Sequence, residues 1–189
     1  MAQEGLYEFI KKNGVYIELG AYVLAFISIF LPFINVTFFV SVSMSLFSVG
    51  SEVTGTATAA AIFLLLFVIA SGALVGINTF ANHIIENFKK NNESKVKTID
   101  MVVDIAPFGF SVASFLIVII AAIVAKNHEY SGLISLAVGF YFLLIAYIVA
   151  IAVRGYYLYF IKEIMGSKPN FETREVKTEQ TNEVTVQVN

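Results

Sequence analysis

From Thr56 to Phe80 the chain reads TATAAAIFLLLFVIASGALVGINTF, with no charged side chain anywhere in the run. As an α-helix rising about 1.5 Å per residue it would be roughly 37 Å long, more than the hydrocarbon core of a bilayer at about 30 Å. A soluble domain of 189 residues has no interior large enough to hide such a helix on every side. Lipid is therefore the expected solvent. The charged fraction of 14% agrees, against about 25% in ordinary globular proteins, as does the mean hydropathy of +0.79.

Three further apolar segments accompany it. The first runs from about Val15 to Phe33 and is broken only by Glu18. Lys11 and Lys12 precede it as they would in a secretory signal, but the small residues suited to cleavage, Ser41 and Ser43, lie well past the apolar run, so a retained helix is expected. Pro32, which has no amide proton, predicts a kink or an end there. The third helix is predicted over about 101–125, with Asp104 as N-cap and Pro107 in the first turn, where a missing N–H costs nothing. The fourth is predicted over 133–165, because Leu158, Ile161 and Met165 keep helical spacing; Tyr156, Tyr157 and Tyr159 would then sit among the headgroups. The fold class is thus an all-α membrane protein, a four-helix bundle with helices at about 15–33, 56–80, 101–125 and 133–165.

Between the first two helices the period drops to two. Val40, Val42, Met44 and Leu46 alternate with Ser41, Ser43 and Ser45, which predicts one or two short strands over the outer end of the bundle. An open strand within lipid would leave backbone groups unsatisfied, so the segment belongs at the interface or under cover. Before the first helix, Leu6, Phe9 and Ile10 recur at helical spacing among Glu4, Glu8, Lys11 and Lys12; this reads equally as a surface helix or a solvated lead-in. Residues 81–100 read as a polar, lysine-bearing connection, residues 126–132 as a tight outer loop, and residues 166–189 as a disordered polar tail.

With four crossings, Lys11, Lys12, Lys89, Lys90, Lys95, Lys97, Arg154, Lys162, Lys168, Arg174 and Lys177 share one side, and Lys126 alone takes the other. The excess of basic residues places both termini and the middle connection in the cytoplasm of a multi-pass cell-membrane protein. Since helices in lipid gain little from apolar contact with one another, small and weakly polar residues mark their packing faces. Gly72 and Gly76 form a GxxxG pair open to packing within the chain or to dimerisation, and Gly139 belongs to a similar stripe on the fourth helix. Three stripes end in a charge near the cytoplasmic boundary: Glu18, Asp104 and Arg154. Charges at that depth are expected to pair, and an ion or proton entry site is the sharper alternative.

Chemistry beyond this is sparse. His83 and Glu86 stand one turn apart without further ligands in the sequence, and His128 is isolated in an outer loop. There is no GxSxG elbow, no phosphate loop and no cysteine. No catalytic residue, cofactor or metal is expected, nor a nucleic-acid partner. The layout of a β-like first outer loop and a short second one resembles tetraspan proteins of the claudin kind. The chain has neither tryptophan nor cysteine, however, so their signature is missing and no family assignment follows. The expected function is protein–protein contact, as an accessory, assembly or immunity-type subunit, through Val40, Val42, Met44 and Leu46. The alternative is a small channel or transporter built as a homo-oligomer.

Overall fold

The computed structural model describes residues 2–37, 41–46, 55–126 and 133–161. In chain order these form α1 (Ala2–Phe30), β1 (Pro32–Thr37), β2 (Ser41–Ser45), α2 (Gly55–Phe80), α3 (Asn82–Asn91), α4 (Val96–Lys126), β3 (Ile134–Leu136) and α5 (Val138–Tyr156). A 3₁₀ turn, Glu93–Lys95, links α3 to α4, and a π-helical turn, Tyr157–Ile161, continues α5. The protein is mostly helical, and α1, α2, α4 and α5 are each long and apolar enough to cross a membrane. The disordered tail expected after Gly166 lies outside the described residues, as do Val40 and His128.

The long helices pack in a ring in which α1 touches α2 and α5, and α4 touches the same two. All four meet in one apolar core: Ala25 and Ile29 from α1, Leu64 and Val68 from α2, Val118 and Ala122 from α4, Leu143 and Ala146 from α5. Leu66, Ile69, Ile120 and Ile145 point outward instead and are about half exposed. An apolar exterior around a packed apolar interior suits a chain whose helices are solvated by lipid on one side and by each other on the second.

The strands form a three-stranded antiparallel sheet in the order β2-β1-β3. Register pairs Ile34 with Met44 and Leu136, and Val36 with Val42 and Ile134, so these six apolar side chains share one face. Ile34 belongs to the helical core, and Val36, Met44, Ile134 and Leu136 pack against it. Asn35, Thr37, Ser41, Ser43 and Ser135 occupy the other, polar face, where Ser43 Oγ donates to Asn35 Oδ1 at 2.8 Å. The sheet is a lid on the end of the helices, apolar side down. Alternation along β2 marks these faces in advance, since a period of two puts one residue type on each side.

Several boundaries differ from the sequence reading. Helix α1 begins at Ala2, runs unbroken through Lys11 and Lys12 and touches the π-helical turn, so the segment is the start of the long helix rather than a separate surface helix; Leu6 and Phe9 there are about half exposed and Ile10 is buried. Asp104 is not an N-cap. Helix α4 starts at Val96, eight residues earlier, and Pro107 lies within it. Val96, Ile99, Val103 and Ala106 already keep helical spacing among the polar residues, which extends the helix past its lipid-length portion. Residues 82–91, expected as a connection, form α3. The fourth helix starts at Val138 rather than at Leu133, because Ile134–Leu136 are claimed by β1, and its regular α geometry ends at Tyr156.

Candidate functional site

Glu18 is an unusual residue to find where it is. Helix α1 carries it about 18 Å from the Phe30 end, counting roughly 1.5 Å per residue, and it is 2% exposed. A lone carboxylate there would be very costly, so the surrounding residues decide whether the helix can exist as drawn. Arg154, in the last turn of α5 and also 2% exposed, donates from Nε to Glu18 Oε1 at 2.9 Å. Tyr22, one turn further along α1, donates its hydroxyl proton to the same oxygen at 3.0 Å. One side chain is thus ion-paired and hydrogen-bonded at a single atom.

The network reaches a third helix. Tyr22 Oη lies 3.0 Å from Ser111 Oγ, and Ser111 donates to the Pro107 carbonyl one turn below at 2.8 Å. Both contacts belong to α4, where Pro107 supplies no amide proton of its own. Asp104 is buried on the face that carries Pro107 and Ser111, as spacings of three and four require. The Arg154 guanidinium also lies over the Tyr157 ring, 5.6 Å from its centroid, a cation–π distance. Its Nη2 is buried and makes no hydrogen bond among the described residues. Ser114 on α4 and Tyr147 on α5, both buried, continue the polar line toward the sheet.

Of the three charges singled out in the sequence, the structure joins Glu18 to Arg154 directly and buries Asp104 on the adjoining helix. Tyr22 and Ser111 complete the cluster and were not singled out together. The signal for Tyr22 was its i+4 spacing from Glu18, which puts the two on one face. The cluster ties α1 to α5 through the charge-assisted Glu18–Arg154 bond and α1 to α4 through the neutral Tyr22–Ser111 contact, in an interior where polar bonds are strong and their loss is costly.

The glycines separate sharply. A Cβ on Gly139 would lie 2.7 Å from the Pro32 carbonyl oxygen, 2.9 Å from that of Leu31 and 3.0 Å from that of Ser28. A Cβ on Gly72 would make an ordinary 3.7 Å contact with Tyr22, and one on Gly76 would meet nothing within 4 Å. Of these three glycines, Gly139 makes the tight approach, where the start of α5 crosses the turn between α1 and β1.

At the sheet, Leu46 belongs to the protein's own core, Met44 packs against that core, and Val42 is 48% exposed. Backbone directions follow from register. The Ala137 N–H donates to the Phe33 carbonyl at 2.9 Å, so alternation makes Asn35–Ser135 the next hydrogen-bonded pair and turns the polar groups of Ile34 and Val36 toward β2. Val42 and Met44 answer them, which turns the N–H and C=O of Ser41 and Ser43 outward. Among the described residues β2 pairs with β1 alone, so this is the sheet's edge.

His83 is exposed, and Glu86 accepts a bond from Asn82 Nδ2 at 2.9 Å. Among the described residues no group of three or more metal-capable side chains comes together. Comparison with protein-family models, curated proteins and solved structures finds no significant match to this chain.

Proposed function

We propose that the protein is a multi-pass protein of the cell membrane, a transmembrane four-helix bundle with both termini cytoplasmic, that acts by protein–protein contact as an accessory, assembly or immunity-type subunit. The observation that carries the contact reading is the β2 edge. Its Ser41 and Ser43 backbone groups face away from β1, the neighbouring Val42 side chain is half exposed, and the sheet beneath is fixed to the helical core. A strand edge of this kind accepts an extended segment of another chain, with backbone hydrogen bonds supplying affinity and alternate side chains supplying selectivity. The orientation rests on the fold and the charges together. Lys11, Lys12, Lys89, Lys90, Lys95, Lys97 and Arg154 lie toward one end of the helices, whereas Lys126 lies at the end that carries the sheet.

Ser43→Pro tests the contact, because it removes an outward N–H without taking a donor from the β1–β2 ladder. In mild detergent, the variant should retain the melting behaviour of the parent and lose the partner that co-purifies with it, identified by mass spectrometry. A partner retained by Ser43→Pro but lost when residues 170–189 are deleted would place the contact on the cytoplasmic side and defeat this assignment.

A further inference from the structure

Helix α3 is amphipathic in a way that the spanning helices are not. Ile84 and Phe88 are one turn apart and more than half exposed, and Phe80, the last residue of α2 before the break at Ala81, is 68% exposed. Ile69 and Ile77 on α2, and Met101 and Val102 on α4, are likewise exposed. Only Ile85 is turned inward, so α3 rests on the protein along a narrow line. Large apolar side chains exposed at the end of a spanning-length helix are not left to water, and on the membrane-spanning reading they lie beside the acyl chains.

Charge narrows the choice of occupant. Between positions 82 and 97 there are four lysines, Lys89, Lys90, Lys95 and Lys97, against Glu86 and Glu93. Lys89 is held by Asp100, and Lys90, Lys95 and Lys97 are exposed. We propose that α3 is an interfacial helix that seats Ile84 and Phe88 at the headgroup–acyl boundary of the leaflet at this end of the bundle, and that Lys90, Lys95 and Lys97 bind the headgroups of anionic phospholipids there. The proposal rests on the membrane-spanning reading of α2 and α4. Apolar burial and attraction to anionic lipid act together in such helices, and the basic residues of a helix in this position hold the negatively charged headgroups beside them.

The absence of native cysteine makes the test direct. Ile69→Cys and Phe88→Cys, each labelled with a fluorophore, are reconstituted in phosphatidylcholine bilayers containing equal fractions of either acyl-brominated phosphatidylcholine or acyl-brominated phosphatidylglycerol. The label at position 69 should be quenched equally by both. The label at position 88 should be quenched by both but more strongly by phosphatidylglycerol. Lys90→Gln, Lys95→Gln and Lys97→Gln together should abolish that difference. No quenching at position 88, with position 69 quenched, overturns the proposal and leaves the spanning reading intact; equal quenching at 88 by the two lipids, or a preference that survives the triple change, overturns the anionic site. No quenching at either position would defeat the spanning reading itself.

Discussion

Glu18 and Arg154 are each tolerated only because of the other. A buried ion pair adds little net stability over an apolar pair of similar volume, but removing one partner strands the second and costs about 3–5 kcal/mol. Arg154→Leu should therefore lower the melting temperature in detergent markedly, and Glu18→Leu added to it should restore most of the loss. Losses that simply add would mean that the two side chains are not coupled, because a cycle on a direct contact departs from additivity. The pair was partly legible in the sequence: a charge inside an apolar run needs an opposite charge, and the chain offers few. What could not be read was which partner it takes. Asp104 and Glu18 compete on equal terms for Arg154 until the helices are set in register, and register depends on packing far from any of the three.

At the scale of elements, pattern and tertiary contact divide the work. Four apolar runs long enough to span were plain, and the two-residue period of β2 showed through. Strand β3 did not, because Ile134–Leu136 is three residues long and merges with the apolar start of α5; only pairing with β1 makes it a strand. Helix α3 left a trace in Ile84, Ile85 and Phe88, which was outweighed by the polar residues around them. The GxxxG spacing pointed to α2, but the closest approach is at Gly139, where three backbone carbonyls occupy the space a side chain would need. Gly139→Ala should consequently destabilise the protein by about 1–3 kcal/mol, since backbone must move to admit the methyl group. Gly76→Ala, facing open space within a helix, should instead be neutral or stabilise by up to about 1 kcal/mol. Thermal melts of the two variants side by side check the contrast, and equal losses would contradict it.

For the molecule as a whole, the alternation of long helices and connections places the sheet at one end and α3 at the other. The orientation reading makes Ser43 external and Lys90 cytoplasmic. In a chain with no native cysteine, Ser43→Cys should react with a membrane-impermeant maleimide added to intact cells, and Lys90→Cys only after the membrane is opened. The reverse result would invert the protein in the membrane.

The polar cluster also sets a schedule. Its two charges are separated by 136 positions in the chain. At a synthesis rate of about 5–20 residues per second, Glu18 leaves the ribosome roughly 7–27 s before Arg154. For that interval the first helix carries a carboxyl group whose counter-charge has not yet been made. On the membrane-spanning reading proposed above, a nascent chain must therefore keep Glu18 hydrated or sheltered until Arg154 is made, and α1 can settle only when α5 arrives. The sheet obeys the same clock, because β1 waits for β3 from the far end of the chain. A chain interrupted before β3 would therefore present an unpaired acid at one end and, at the other, a β1 strand paired with β2 alone.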